Sequence, residues 1–207
     1  MSYELNEVLN LHPGTKAQDW LRHANGIGWI HVTAKVHATA NVKGIVGARS
    51  SIGEGSSIGA RSSIGAWSSI GARSSIGAGS SIGEGAYIGE GSSIGAWSSI
   101  GARSSIGAGS SMIRSPLYIV GSRHIVNEYR LGELKIGCQV HTIEHWQQHV
   151  LGIARQHGYT EAQAAEYQCY VELAATLHAA RKDVEVEACA ALAKANADRI
   201  EAIKARR

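Results

Sequence analysis

The run Val46-Gly-Ala-Arg-Ser-Ser51, Ile52-Gly-Glu-Gly-Ser-Ser57, Ile58-Gly-Ala-Arg-Ser-Ser63 opens eleven consecutive hexapeptides that end at Ser111. The first position is Val46 and then Ile in every hexad to Ile106; the second is always Gly. The fifth is Ser except Ala86, and the sixth is Ser except Tyr87. Upstream, Ile30, Val36 and Val42 keep the six-residue step, but Val42 to Val46 is a step of four, so one corner is shortened or the frame slips there. A period of six does not fit a helix; it fits a short strand followed by a corner. One β-branched side chain per hexad then points inward, with a small Ser or Ala turned in beside it. Gly in the second position is expected to take positive φ where the chain turns. A single hexad buries almost nothing, but stacked coils bury a continuous Ile ladder and pair their backbones with the coils above and below.

This pattern closely resembles the left-handed parallel β-helix of hexapeptide-repeat proteins, with three hexads per 18-residue coil. Handedness and a triangular section are implied by that resemblance, which covers roughly residues 30–112. The expected fold is an all-β solenoid plus α: an N-terminal helical cap over 1–28, the β-helix over 29–112, and a mixed, then helical, region over 113–207.

Composition narrows the class. The 207 residues include 25 Gly but only two Pro and no Phe, which argues against both collagen and an ordinary aromatic core. The net charge of +3 is too small to argue for nucleic acid. No apolar run approaches a membrane span and no leader pattern opens the chain, so no membrane partner is expected. Three cysteines, Cys138, Cys169 and Cys189, suggest a reducing, cytoplasmic compartment.

The flanks differ from the repeat. Leu5, Val8 and Leu9 suggest a short helix stopped at Pro13-Gly14, and Thr15 with Gln18 reads as a capping box for a turn reaching Arg22. After Pro116, residues 117–137 read as strand or irregular structure. An amphipathic helix over 142–157 carries Ile143, Trp146, Val150 and Ile153 on one face and ends at Gly158. Thr160-x-x-Gln163 opens a second helix, and an Ala-rich third runs from about Glu185 to Ala205. Such helices are expected to cap an open solenoid end.

Three sets of residues are candidates for chemistry. Many hexapeptide-repeat proteins are acyltransferases with a coenzyme A or carrier-protein donor and a His base near a coil. Here no His lies between 46 and 111 and no loop interrupts the hexads, which leaves His31 and His37, both at the second position of a hexad. Cys138, His141, His145 and His149 have a spacing that suits zinc; the alternative is a polar helix face beside a small buried thiol. The third set is the outward fourth position, which varies as Arg49, Gly55, Arg61, Trp67, Arg73, Gly79, Gly85, Gly91, Trp97, Arg103 and Gly109. At 18 residues per coil these fall into three columns: Arg49/Trp67/Gly85/Arg103, Gly55/Arg73/Gly91/Gly109 and Arg61/Gly79/Trp97. Gly85 and Gly79 should leave notches about 10 Å across between larger neighbours. Arg beside Trp suits an anionic, planar ligand such as a nucleotide; the alternative is that Trp67 and Trp97 are contacts of a homotrimer. A Ser lattice for ice or carbohydrate is disfavoured, because Ser-Ile-Gly lacks a second outward hydroxyl.

The segments Ser115–His124, Gly137–His149 and Gly158–Glu161, followed by a Tyr-containing helix, look like the tail of bacteriophage proteins that join a hexapeptide β-helix to a small helical domain. That resemblance implies phage origin and architecture only. The reading adopted from sequence is a non-enzymatic homotrimer in the host cytoplasm. It uses Arg49, Arg61, Trp67, Arg73, Trp97 and Arg103 to sequester a nucleotide-type signal against a host defence component, without a cofactor. A structural assembly protein and an acyl-CoA-dependent acyltransferase are the alternatives.

Overall fold

The computed structural model describes residues 3–205. Strands of mostly two residues, each carrying the hexad's inward aliphatic residue, form three parallel sheets around one core. Trp29–His31, Ile45–Val46, Ser63–Ile64, Ser81–Ile82 and Ser99–Ile100 make one sheet, which the antiparallel strand Trp20–Arg22 extends at its edge. Lys35–Val36 to Ser105–Ile106 make the second, and Asn41–Val42 to Ser111–Met112 the third. Within the hexads, partners such as Ser63 and Ser81 lie 18 residues apart. In the first coil the step is 16, as between Trp29 and Ile45. The four-residue step from Val42 to Val46 is therefore a shortened corner and not a slipped frame. Gly44 makes it possible: a Cβ there would meet the Ser62 carbonyl oxygen and, at 2.7 Å, the Ser62 hydroxyl.

The inward Ile residues from Ile52 to Ile106 are all buried, and Val42, Val46 and Met112 continue the ladder at its ends. Each buried aliphatic side chain contributes about 1.5–3 kcal/mol. The fifth-position serines are buried beside them, and their hydroxyls tie one coil to the next. Ser50, Ser56 and Ser68 donate to the carbonyls of Gly65, Gly71 and Gly83, each at 2.8 Å. The ladder ends where the next coil is missing, and the buried hydroxyls of Ser98 and Ser104 have no partner among the described residues.

The glycine expectation needs correcting. Second-position glycines do not have positive φ. They are glycine because a Cβ would enter the backbone of the next coil: at Gly77 it would sit 2.6 Å from Gly95 C and 2.7 Å from Ala96 Cα. Positive φ belongs to the fourth position, at Gly55, Gly79, Gly85, Gly91 and Gly109, and equally at Arg49, Arg61, Trp67, Arg73, Trp97 and Arg103 (φ 56–61°).

At the N-terminus, helix α1 (Leu5–Leu11) covers the solenoid end through Val8, which packs with Trp20 and Ile45. The Thr15–Gln18 box does not form. Asp19 accepts the Lys16 amide at 2.8 Å, and Thr15 donates to His12 O and accepts from Trp20 Nε1. The short helical turn ends at Asp19, and residues 20–22 are strand.

Beyond the coils, Tyr118–Val120, Ile125–Arg130, Glu133–Ile136 and Gln139–Thr142 form an antiparallel sheet. This sheet closes the far end of the solenoid, a role expected of helices. Asn127 exchanges side-chain hydrogen bonds with the Ser105 backbone, and Gly107 donates to Tyr129 O at 2.9 Å. Helix α2 (Ile143–Gln156) is N-capped by Thr142 and buries Ile143, Trp146 and Val150, as its periodicity predicts. The Thr160–Gln163 box is formed in both directions. It opens a single helix, α3 (Glu161–Lys204), where two were expected. No Gly or Pro interrupts residues 161–204, so nothing forces a break. The ion network of Arg114 with the buried carboxylates Glu128 and Glu185 holds α3 at the joint. Its C-terminal half then runs back along the side of the solenoid. No described helix is long and apolar enough to cross a membrane.

Candidate functional site

The fourth-position residues project from the three corners of the solenoid in left-handed backbone conformation. That conformation costs a non-glycine residue about 1–2 kcal/mol. Six hexads accept this cost for Arg or Trp while five use Gly in the same conformation, so the fold itself does not require the larger side chains.

The corners differ in what covers them. On the first, the Arg49 guanidinium lies 4.5 Å from the Trp67 ring centroid, and Trp67 stays 57% exposed. Gly85 follows, then Arg103, whose Cγ lies 3.6 Å from where a Gly85 Cβ would stand. The Arg103 stem thus flanks the expected notch in ordinary van der Waals contact. On the second, Arg61 is held by the N-terminal segment: its carbonyl accepts from Tyr3 Oη at 2.9 Å, its guanidinium lies over the Tyr3 ring, and Glu7 is 3.8 Å away. The Gly79 notch expected there is filled by the Trp97 indole, which would stand 2.5 Å from a Gly79 Cβ; Trp97 is itself 79% exposed.

The third corner lies beneath α3. Asn196 Nδ2 donates to Arg73 O and Gly91 O, both at 3.2 Å, and Arg199 donates to the carbonyls of Gly55, Arg73 and Ser74. The Arg73 side chain is paired with Glu90. The six predicted residues therefore do not form one site. Arg49, Trp67 and Arg103 share an open corner, Arg61 and Trp97 share a second, and Arg73 is in a corner whose backbone carbonyls are taken by α3 while its own side chain stays half exposed against Glu90. Asn196 and Arg199 were not legible in advance, because nothing in an Ala-rich helix signals which carbonyls it will cover.

His31 and His37 serve the corners. In each, Nδ1 accepts from the backbone N–H of the Thr two residues on (Thr33 and Thr39) and lies 2.9 Å from that Thr's hydroxyl. The hydroxyl oxygens in turn accept from Arg49 N and Gly55 N at 3.0 Å. A backbone N–H can only donate, so the neutral rings carry their proton on Nε2, an assignment drawn from the hydrogen-bond network. That tautomer presents a donor to the outside, not a base.

His141, His145 and His149 stack face to face with centroids 4.3 Å apart and do not converge on a common point. Burial, then the neighbouring His141 and His149, pushes the His145 pKa down. Cys138 is exposed, not the small buried thiol of the alternative reading, and it lines a cavity that none of the three borders. Among the described residues, no group of three His, Cys, Asp or Glu side chains is arranged to hold a metal ion.

Residues 49–83 match the family model for bacterial transferase hexapeptide (six repeats). No curated protein matches the chain. Among solved structures, a mutant of perosamine N-acetyltransferase from Caulobacter crescentus, in complex with CoA and GDP-perosamine, is similar at 23% identity and a TM-score of 0.39. The alignment covers 54% of this chain and 59% of that one. The repeat and the three parallel sheets give the chain the fold of a hexapeptide-repeat parallel β-helix, and the family match lies within those coils.

Proposed function

We propose that the chain is a transferase-type β-helix that binds a nucleotide-bearing acyl donor of the coenzyme A kind on the Arg49–Trp67–Arg103 corner. The observation that carries this reading is the choice of Arg and Trp in left-handed conformation on an open corner where Gly would cost less. The corner offers an aromatic face for a base and guanidinium groups for phosphates. The transferase hexapeptide match spans Arg49 and Trp67, which favours the donor of a transfer reaction, and the acyltransferases that the repeat resembles suggest an acyl group on it.

A second reading is binding without turnover, the sequestration of a nucleotide-type signal by a phage counter-defence protein in the host cytoplasm. One observation favours it: the His31 and His37 tautomers leave neither ring poised as a general base. In both readings we propose a homotrimer, in which the exposed Trp97 indole is covered by a neighbour.

Native mass spectrometry and thermal shift with acetyl-CoA, coenzyme A and cyclic dinucleotides test these readings, with sedimentation to report a mass near three times 21.9 kDa. Arg103→Ala should weaken ligand binding by about ten- to a hundredfold while sparing the oligomer. Thiol release from acetyl-CoA with amine or hydroxyl acceptors, lost in His31→Ala or His37→Ala, supports transfer; binding without release supports sequestration. If no nucleotide binds and Trp67→Ala dissociates the oligomer, both readings fail and the columns are assembly contacts.

A further inference from the structure

We infer that the C-terminal sheet and helices enclose a second binding site, independent of the corner, for a small organic anion with a short hydrocarbon chain. The site is a cavity of about 100 Å³. It lies where three connections meet: the one before strand Ile125–Arg130, the Gly137–Cys138 turn, and the link between α2 and α3. These are the segments that sequence analysis set apart from the repeat and that the proposed function leaves unused.

The floor is apolar. Trp146, Val150, Ile153 and Ala154 supply it from one face of α2. The mouth is polar and carries fixed positive charge: Arg123 borders it with His124, Cys138 and Tyr159, and no lining residue is acidic. An apolar pocket with a few convergent polar groups is the usual form of a small-molecule site.

The mouth is also pre-formed. The buried Tyr167 hydroxyl accepts from the backbone N–H of Arg123 and of His124 and donates to His124 O at 2.7 Å, which clamps that connection onto α3. Arg123 donates to Gly158 O at 2.7 Å and lies 4.7 Å over the Tyr159 ring, so its charge is held beside the opening. Gly137 has φ +59°, and a Cβ there would stand 3.1 Å from the His124 ring. The turn thus lets the imidazole close one side. Ordering of the mouth lowers the entropy lost when a ligand binds.

The volume sets the ligand's size. A cavity of about 150 Å³ accepts benzene, so this one suits a chain of about four carbons, with its carboxylate at the mouth beside Arg123. Butyrate is the probe, butyramide its uncharged counterpart, and Cys138 the reporter.

The 207-residue chain is alkylated with iodoacetamide, and the rate at each cysteine is read by peptide mass spectrometry. About 30 mM butyrate should slow Cys138 by about threefold or more, as expected for a millimolar Kd, and leave Cys169, which is also exposed but does not line the cavity, unchanged. Butyramide should protect much less. Arg123→Ala should abolish butyrate protection, and Ala154→Leu should do so by filling the floor; melting curves confirm that each variant is folded. Arg123→Lys, which keeps the charge, should retain part of the protection. The inference is overturned if butyrate leaves the Cys138 rate unchanged, if it slows Cys169 equally, if butyramide protects as well as butyrate, or if protection survives in both Arg123→Ala and Ala154→Leu. Nucleotide binding at the corner does not enter this readout, so either result stands apart from the proposed function.

Discussion

Gly83 and Gly85 lie two residues apart on one corner, yet replacing each by Ala should have very different consequences. At Gly83, φ is not positive, but a Cβ would meet Ala102 N and stand 2.7 Å from both Ala102 Cα and Gly101 C. Ordinary contact begins near 3.4 Å, so the next coil must retreat by about 0.7 Å to relieve these two carbons and by more to clear Ala102 N. The retreat stretches the bond from Gly83 N to Ile100 O, now 2.8 Å, and strains the one that Gly83 O accepts from the Ser68 hydroxyl in the preceding coil. Overpacking of about 1–3 kcal/mol, with two weakened hydrogen bonds at about 1 kcal/mol each, gives a cost of about 3–5 kcal/mol. That is a large share of the 5–15 kcal/mol typical of a domain. At Gly85, φ is +65° and the nearest atom is Arg103 Cγ at an ordinary 3.6 Å. Only the left-handed backbone is penalised, by about 1 kcal/mol, as at the six corners that already carry Arg or Trp. Urea unfolding of the two variants, followed by circular dichroism, separates these cases. Stabilities within 1 kcal/mol of each other would refute the close-approach account of the second-position glycines.

Two further outcomes follow from the flanking elements. Replacing Asn196 and Arg199 together by Ala removes the side-chain donors that bind α3 to the third corner, so hydrogen exchange should accelerate over residues 190–204 but not over 161–178. Unchanged protection there would show that α3 is held by other contacts. Burial, and then the neighbouring His31, pushes the His12 pKa below the ordinary 6.5, and its Nε2 has no partner. The unfolded chain therefore binds the extra proton more readily than the folded one. The stability linked to His12 is complete above about pH 6.5 and is lost as the pH falls from there toward the folded value. His145 is shifted the same way, so the variant isolates the effect: His12→Leu should lose less stability than the native chain between pH 8 and pH 5 in thermal melts. Parallel pH profiles would rule His12 out.

The hexad alone determined the solenoid. An inward aliphatic residue every sixth position has one economical solution, short strands stacked so that each coil buries the residues of the next, and Val42 to Val46 marked an irregularity that the strand register resolves as a short corner. Local signals were likewise sufficient for α1, for the amphipathic face of α2 and for the Thr160–Gln163 start of α3, because capping and amphipathic periodicity act within a few residues. Sequence did not reveal why the second-position Gly is required, since the clash at Gly83 comes from a residue 19 positions away. Nor did it reveal that the three corner columns are inequivalent. That depends on where Tyr3 arrives, set by the N-terminal packing on Trp29, and on where Asn196 and Arg199 arrive, set by the joint of Arg114 with Glu128 and Glu185 and by an unbroken α3. The stacked His141, His145 and His149 and the cavity behind Cys138 have the same origin: spacing placed the residues on a turn and a helix face, but only packing decided which side chains met. Periodic burial is a short-range property repeated along the chain and is legible in its text. A site is a meeting of distant segments, fixed only when the whole core closes.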